Sequence, residues 1–190
     1  MNEGKLTVIV GPMFSGKTSA LISYVEIYTL GRKKIKIFKP KVDNRYDSTS
    51  IVSHTQAKVQ AVPIQFPDEI LRNIQGDERA VFVDEVQFFP PSLREVFLDL
   101  MHRGINVYCS GLDLNFKNQP FQTTLMVMAH ADQVIKKRAV CHECGEYAAT
   151  VSHKLVDDQK EIDVGGEEKY IAACRACYFK LHGAPVEPSR

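Results

Sequence analysis

Short apolar runs alternate with stretches of helical spacing along the first 140 residues of the chain. Strands are predicted for six runs rich in β-branched residues, at 5–10, 35–38, 59–64, 80–85, 105–109 and 132–140. Helices are predicted where apolar residues recur at i, i+3 and i+4 or where Pro and Gly bracket a segment, at 18–30, 66–74, 93–101 and 122–130. A strand, a helix and a strand this close in sequence require a right-handed crossover, so we expect a parallel α/β sheet flanked by helices.

A phosphate-binding motif joins the first predicted strand to the first predicted helix. The four fixed positions of G-x-x-x-x-G-K-[ST] are filled in GPMFSGKT by Gly11, Gly16, Lys17 and Thr18. The glycines let successive N–H groups point at phosphate oxygens, Lys17 reaches the β- and γ-phosphates, and the Thr18 hydroxyl can ligate Mg²⁺. An ordinary glycine-rich turn is the alternative, but the strand before the motif and the helix after it favour a nucleotide site.

Two adjacent carboxylates stand at the C-terminal end of the buried run AVFVDE, residues 80–85. Ligands of open α/β sheets bind at that end of the strands. A phosphate-loop enzyme needs an aspartate to hold Mg²⁺ or its waters, and Asp84 fits this role. Glu85 can then meet a second substrate. A turn at the protein surface is the alternative explanation of such a pair.

Two loops carry further candidate residues. The segment 41–55 is polar and rich in turn formers, and we expect a mobile loop that a ligand can order. Asp43 and Arg45 in it can meet ATP or its metal, although a solvated surface is the plainer interpretation. In the segment 111–121, apolar and aromatic side chains either pin the loop or form a slot for a flat ring.

The cysteines divide into one isolated residue and two pairs. Cys109 lies inside a predicted strand, where a small buried side chain is a better interpretation than a nucleophile. Two C-x-x-C knuckles follow, and their sulfurs can form a tetrahedral zinc site from Cys141, Cys144, Cys174 and Cys177. Redox-active pairs are the alternative, but two knuckles in one small segment favour a closed, structural zinc site.

Composition narrows the class of protein. The chain has 190 residues, 44% of them hydrophobic and 25% charged, as in ordinary globular proteins. The net charge of +1 provides no general attraction to nucleic acid or to acidic membranes. The first apolar run is too short for a signal peptide, no run reaches membrane-spanning length, and we expect a cytoplasmic protein with reduced cysteines.

Six ordered segments together resemble the small, zinc-containing, cellular-type (type II) thymidine kinases. They are GPMFSGKT at 11–18, FKPKVDNRY at 38–46, DEVQFF at 84–89, GLDLNFKNQPF at 111–121, the two cysteine knuckles and GGEEKY at 165–170. The resemblance covers about residues 5–179. It implies a P-loop, RecA-like α/β domain over 1–140, a zinc-ribbon-like domain with a lasso loop over 141–182, and a flexible tail over 183–190.

The resemblance also implies an activity. It predicts transfer of the γ-phosphate of ATP to the 5′-hydroxyl of thymidine or deoxyuridine, with Glu85 as the catalytic base and the lasso closing over the nucleoside. Nucleotide contacts are implied for the phosphate loop and beyond it, at Gly11, Pro12, Met13, Phe14, Ser15, Gly16, Lys17, Thr18, Asp43, Asn44, Arg45, Asp84, Glu85, Val86 and Gln87. Nucleoside contacts are implied at Met13, Phe88, Leu112, Phe116, Phe121, Val164, Gly165 and Tyr170.

Cofactors and partners follow from the same resemblance. It implies structural Zn²⁺ on the four cysteines, Mg²⁺ with ATP at Thr18 and Asp84, a homotetramer, and feedback inhibition by dTTP within nucleoside salvage for DNA synthesis. No nucleic-acid or membrane partner is expected.

Three other functions compete with this interpretation. An ATPase motor or clamp loader would use Glu85 to activate water, but such domains are longer and need an arginine finger that we do not find in this sequence. A zinc-ribbon module that binds nucleic acid would need a basic stripe with interleaved aromatic residues. A kinase for another nucleoside, such as deoxycytidine or deoxyguanosine, is not excluded by the residues alone.

Overall fold

The computed structural model describes residues 3–43, 49–52, 58–155, 165–166 and 168–182. Within these residues the helices are Lys17–Leu30 (α1), Asp68–Asn73 (α2), Leu93–His102 (α3), Gln122–Ala129 (α4) and Arg175–Leu181 (α5). The strands are Leu6–Val10 (β1), Ile35–Pro40 (β2), Ser50–Val52 (β3), Lys58–Gln60 (β4), Val62–Ile64 (β5), Ala80–Val83 (β6), Asn106–Gly111 (β7), Gln133–Lys136 (β8), Val151–Lys154 (β9) and Tyr170–Ala173 (β10). A 3₁₀ turn covers Val86–Phe88.

A six-stranded sheet forms the centre of the molecule, with the strand order β5-β2-β6-β7-β1-β8. Every neighbouring pair in it is parallel, as the sequence predicts. The strand that leads into the phosphate loop, β1, is separated from β6 by β7 alone. The carboxyl ends of these strands therefore bring the phosphate loop and the acidic pair to the same edge of the sheet.

The sheet is covered on both faces, which explains why its central strands are continuously apolar. On one face the strands pack against α2, α3 and α4, and Val8, Val81 and Phe97 are fully buried there. On the other face Ile9 and Phe82 pack against α1. Side chains that alternate along one strand thus reach two separate cores.

The strand predicted at 59–64 is two strands with different partners. β4 pairs antiparallel with β3 in a hairpin, whereas β5 pairs parallel with β2 at the edge of the main sheet. Ala61 lies between them, and its N–H donates to the carbonyl of Thr49 at 2.9 Å. The prediction of a continuous loop over 41–55 is correspondingly wrong at β3. The prediction does not divide the strand at 59–64 because β5 pairs with β2, more than 20 residues earlier in the chain, whereas β4 pairs with the nearby β3.

One further boundary differs from the sequence prediction. The last strand of the sheet ends at Lys136 rather than at residue 140, because the chain turns away to form a bridge between Ala139 and Ala149. By contrast, α1 ends at Leu30 as predicted; Gly31 follows it with an ordinary φ of −71°, and Arg32 takes the left-handed conformation with a φ of 51°.

The C-terminal part is small. The hairpin of β9 and β10 and the short helix α5 enclose two clusters, which are built largely from alanine, cysteine and Tyr178. Among the described helices, none combines the length and apolarity needed to cross a bilayer.

Candidate nucleotide and nucleoside site

The phosphate loop follows β1 directly and ends at the first residue of α1. Gly11 has a φ of 148°, and a Cβ there would lie 2.6 Å from the carbonyl oxygen of Lys137. Gly16 has a φ of 74° and caps the helix. A side chain at either position would be strained, which is the physical reason for the two glycines of the motif.

Lys17 lies inside this loop with 7% of its surface exposed. Its Nζ donates to the carbonyl of Pro12 at 2.7 Å, and the Ser15 hydroxyl donates to the same carbonyl at 2.8 Å. A buried ammonium within a loop at a helix N-terminus favours an anionic ligand.

Asp84 connects the end of β6 to both neighbouring elements. Its Oδ2 accepts from the Thr18 hydroxyl at 3.1 Å, while its Oδ1 accepts from the Ser110 hydroxyl and from the N–H of Glu85. A hydroxyl and a carboxylate held this close are the oxygen donors that Mg²⁺ prefers, together with phosphate oxygens and water. The pair fits the predicted metal role.

Glu85 is buried and takes the left-handed conformation, with a φ of 53°. This conformation costs a non-glycine residue roughly 1 kcal/mol, and such strain is concentrated at functional sites. Its Oε2 accepts from the Gln87 side-chain amide at 2.6 Å, and the Gln87 Oε1 accepts from the N–H of Leu112 at 3.0 Å. The carboxylate is therefore linked to the loop 111–121.

One cleft contains the phosphate loop and the acidic pair. Its space measures about 660 Å³, including the part open to solvent. It is lined by Met13, Phe14, Gly16, Lys17, Thr18, Ser19, Lys39, Asp43, Ser50, Ile51, Asp84, Glu85 and Leu112. Asp43 is buried in this cleft rather than solvated, whereas Asn44 and Arg45 lie outside the described residues.

The loop 111–121 is held by polar contacts as well as by its aromatic residues. The side-chain oxygen of Asn115 accepts from the N–H groups of Lys117 and Gln119. Asp113 forms an ion pair of 2.7 Å with Lys136 on β8. The loop leaves the sheet in a fixed direction, with Leu112 directed into the cleft.

Two of the predicted nucleoside contacts are brought together by a buried lysine. The Lys154 Nζ lies 5.1 Å from the centroid of the Phe116 ring and 6.0 Å from that of Tyr170. The carbonyl of Phe116 also accepts from the Tyr178 hydroxyl at 2.8 Å. The two rings belong to the loop 111–121 and to β10, so Lys154 connects the halves of the predicted pocket.

The remaining predicted contacts are more dispersed. Val86, Gln87 and Phe88 form the 3₁₀ turn after Glu85, and α4 packs against this turn. Phe121 is buried at the N-terminus of α4, and Gly165 is also buried. None of the three residues Phe88, Phe121 and Gly165 lines the phosphate cleft. Val164 lies outside the described residues.

A contact that sequence reasoning missed joins the phosphate loop to the C-terminal part. The N–H of Met13 donates to the Ser152 hydroxyl on β9 at 2.9 Å, in a buried position. No motif marks Ser152, because it lies in a plain strand that is 139 residues away along the chain. The contact is evident only in the tertiary structure.

The four knuckle cysteines meet as the sequence predicts. The sulfurs of Cys141, Cys144, Cys174 and Cys177 all lie within 4.8 Å of one another. Burial opposes ionisation of Cys141, but the N–H groups of Cys174 and Cys144 outweigh it and lower the pKa of this thiol to about 6. The donor set therefore fits a tetrahedral zinc ion with no open position.

Cys109 does not belong to this cluster. It is fully buried in β7, and burial, followed by the nearby charge of Asp84, raises the pKa of its thiol far above the ordinary range. The thiol stays protonated, as the interpretation of a small buried side chain requires.

A family model, a relative and two solved structures are similar to this chain. The family model described as thymidine kinase matches residues 4–178. A thymidine kinase of Pseudothermotoga lettingae is 51% identical over 178 residues, which cover 94% of this chain and 96% of that protein. Two structures of the genome packaging NTPase B204 from Sulfolobus turreted icosahedral virus 2 cover 72% of this chain and 74% and 75% of theirs. The one with sulfate has a TM-score of 0.45 at 18% identity, and the one with ATP-γS has 0.44 at 16%.

Proposed function

The chain belongs to the thymidine kinase family, and from this premise we propose that it transfers the γ-phosphate of ATP to the 5′-hydroxyl of thymidine. The observation that carries the proposal is the shared cleft, in which Lys17, Thr18, Asp84 and Glu85 line one space. Phosphoryl transfer needs charge neutralisation and in-line positioning more than covalent chemistry.

The phosphate side of the reaction uses the loop and the first turn of α1. The loop N–H groups and the Lys17 ammonium bind the β- and γ-phosphates. Thr18 and Asp84 would hold Mg²⁺, which neutralises phosphate charge when it is bound with ATP. Ser110 keeps Asp84 oriented through its hydrogen bond to Oδ1.

The acceptor side uses Glu85. Its carboxylate would accept the proton of the 5′-hydroxyl as the oxygen attacks the γ-phosphorus, a contribution of typically about 10²–10⁴-fold. Gln87 holds this carboxylate from one side, and the N–H of Leu112 fixes Gln87 in turn. The general base is thus positioned before substrate arrives.

The nucleoside would bind where the phosphate loop meets the C-terminal part. Met13 and Leu112 line the cleft, and Phe116, Tyr170 and Lys154 form the adjoining aromatic group. We assign the further contacts Phe88, Phe121, Val164 and Gly165 to the same pocket on the basis of the family. We likewise assign nucleotide contacts to Asn44 and Arg45.

The domain, partner and regulatory proposals follow the same family. We assign ATP binding to residues 1–140 and nucleoside covering to 141–182, where zinc on the four cysteines would hold the two knuckles together. The hydrogen bond from Met13 to Ser152 joins these parts. We assign feedback inhibition by dTTP, the triphosphate product of the pathway, on the basis of the family. Deoxyuridine as a second substrate, a homotetramer and a cytoplasmic role in nucleoside salvage complete the proposal.

A substrate panel tests this function. Purified protein with labelled ATP and Mg²⁺ is offered thymidine, deoxyuridine, deoxycytidine, deoxyguanosine, DNA alone or no addition. The proposal expects monophosphate from thymidine and deoxyuridine only. Preference for another nucleoside would show that the protein is a kinase with a different substrate. ATP hydrolysis that requires DNA rather than a nucleoside would support an ATPase motor instead.

A further inference from the structure

Lys39 is a buried lysine in the cleft to which neither the phosphate-loop motif nor the family resemblance assigns a role. It lies next to the end of β2, with 3% of its surface exposed, and it lines the same space as Lys17 and Glu85. A lysine is rarely buried so fully unless its charge is used or compensated.

The strand register places Lys39 beside Asp84. Phe38 pairs with Val83 in the parallel β2–β6 ladder, so the next residues, Lys39 and Asp84, stand level with each other. Side chains of directly paired residues point to the same face of the sheet. Along one strand, residues i and i+2 also point to the same face. Lys39 therefore projects on the face of Ile37 and Phe82, which is the face that α1 and the phosphate loop cover.

The contact of Lys39 resembles that of the phosphate-loop lysine. The Lys39 Nζ donates to the carbonyl of Ser50 at 3.1 Å, as the Lys17 Nζ donates to the carbonyl of Pro12 at 2.7 Å. Ser50 lines the cleft, and Pro12 lies next to Met13, which also lines it. A phosphate oxygen is a stronger acceptor than a carbonyl because the hydrogen bond is charge-assisted, so an entering phosphate can recruit either amine.

The wall on which Lys39 lies has a further polar group for a ligand. The Ser50 hydroxyl is buried in the cleft and has no hydrogen-bond partner among the described residues. A buried hydroxyl without a partner is costly unless a ligand or water satisfies it.

The positions of the two lysines point in the same direction. Among the described residues that line the cleft, Asp43, Asp84 and Glu85 are acidic, and Lys17 and Lys39 are basic. The strand order β2-β6-β7-β1 puts the two lysines on opposite sides of Asp84. A moving phosphoryl group between them would be flanked by cations on both sides, the arrangement that stabilises its charge.

We propose that Lys39 is a second cationic contact of the transferring phosphoryl group; this rests on the proposed function and adds a catalytic residue to it. The bond from the γ-phosphorus to the bridging oxygen of ADP breaks, and the bond to the 5′-oxygen forms. The 5′-hydroxyl proton goes to Glu85. Lys39 keeps its own protons and donates a hydrogen bond to a γ-phosphoryl oxygen throughout.

The alternative is a purely structural role, in which Lys39 only fastens the β3–β4 hairpin through Ser50. The two roles predict different kinetics. A catalytic contact lowers kcat and leaves the binding of thymidine and the melting temperature nearly unchanged, whereas a structural tie lowers the melting temperature and raises the KM for ATP.

The test compares Lys39→Met with Lys41→Met, which removes an exposed lysine just after the same strand. We expect Lys39→Met to lose about 10²–10³-fold in kcat, as when one transition-state donor is removed. The thymidine KM should stay within about threefold, and Lys41→Met should match the unaltered protein. A kcat for Lys39→Met within about threefold of that of Lys41→Met would overturn the proposal.

A second pair keeps the test decisive if the Met variant does not fold. Lys39→Arg retains the charge, and Lys39→Gln is polar and neutral, so Arg should keep at least about a tenth of kcat while Gln falls with Met. Equal activity of the Arg and Gln variants would refute a cationic role. If the unaltered protein fails to phosphorylate thymidine, the proposed function itself falls; if only the Lys39 expectations fail, that function stands.

Discussion

The phosphate cleft and the cysteine-rich C-terminal part are held together by different means. Behind the cleft, the strands are backed by large side chains such as Phe38, Phe82 and Phe97, all fully buried. Behind the cysteine cluster, the buried residues are mainly Ala139, Ala149 and small neighbours. Because burial of apolar area is the main stabilising force, the first part has a substantial core of its own and the second has little.

This difference explains why a structural metal would stabilise the C-terminal part more than the sheet. A segment with so few large apolar side chains usually requires a cross-link or a metal to fold. Structural zinc supplies about 10–16 kcal/mol of apparent binding free energy in small peptides, enough to replace a hydrophobic core. We therefore expect substitutions in the sheet to lower kcat and substitutions in the C-terminal part to raise the KM for thymidine.

The largest expected effect is a loss of kcat on substitution of Glu85, at the end of β6. Glu85→Gln keeps the size of the side chain and an oxygen that can accept from Gln87, but it removes the base. We expect kcat to fall by about 10²–10⁴-fold while ATP and thymidine still bind, as measured by steady-state kinetics and calorimetry.

The matched control for this variant is Glu95→Gln, an exposed glutamate on α3. It should leave kcat unchanged. A Glu85→Gln protein that retained most of its turnover would remove Glu85 from the base role and would weaken the assignment of catalysis to the sheet.

Loss of one proposed zinc ligand should affect the C-terminal part of the chain. Cys174 also caps α5, since its sulfur accepts from the N–H of Cys177, and serine preserves a capping side chain. Cys174→Ser should raise the KM for thymidine by roughly tenfold or more, about 1.4 kcal/mol, and the KM for ATP far less. Zinc content by mass spectrometry should fall in parallel.

Cys109→Ala is the control for this substitution, because Cys109 is a buried cysteine outside the cluster. It should keep zinc and the KM for thymidine. Equal KM values in Cys174→Ser and the unaltered protein would mean that the metal does not help to build the nucleoside pocket.

A smaller effect is expected where the two parts meet. Lys154→Met removes the buried ammonium between Phe116 and Tyr170 but keeps its apolar stem. Cation–π contacts of this kind contribute about 0.5–2 kcal/mol, so the KM for thymidine should rise roughly twofold to thirtyfold with kcat little changed. Lys154→Arg should restore most of the affinity.

The chain offers a matched control on the same ring. Lys117 lies 5.5 Å from the Phe116 centroid but is exposed, so Lys117→Met should change the KM for thymidine much less. An equal KM for thymidine in Lys154→Met and Lys117→Met would show that the buried position of Lys154 does not contribute to nucleoside binding.

The smallest effect concerns the pH dependence of stability in the C-terminal part. Burial, and then the positive charge of His182, lower the pKa of His153, against an opposing effect of Glu143. The unfolded chain therefore binds the proton more readily. The stability from the neutral imidazole is complete above the ordinary pKa of about 6.5 and is lost as the pH falls below it, towards the folded value.

Urea unfolding at pH 7.5 and pH 5 measures this effect. His153→Gln should lose less stability on acidification than the unaltered protein does. His102→Gln, which changes an exposed histidine on α3, should not alter the pH dependence. A steeper acid loss in His153→Gln would contradict the lowered pKa.

Local patterns were sufficient for the features that depend on local geometry. The phosphate loop needs glycine at positions 11 and 16 because of their φ angles, and each knuckle needs two cysteines with two residues between them. The parallel order of the strands followed from their short crossovers. These rules act within a few residues, so the sequence displays them directly.

Features that depend on distant partners could not be predicted in this way. The strand at 59–64 divides because β4 and β5 pair with different strands. Ser152 meets Met13 across 139 residues of chain, and Lys39 becomes part of the cleft through its register with β6. Each of these features depends on how segments pair in the folded chain, and the hydrophobic pattern of the sequence does not indicate such pairing.

The hydrogen bond between the Met13 amide and the Ser152 hydroxyl constrains how such enzymes can be recombined. A chimera that exchanges everything after residue 140 must supply a hydroxyl, or another acceptor, at the equivalent position. Without one, an amide in the bend of the phosphate loop would be left buried and unsatisfied, at a cost of about 1–3 kcal/mol. Cassette swaps intended to change nucleoside preference should therefore be cut so that residue 152 stays with its original loop.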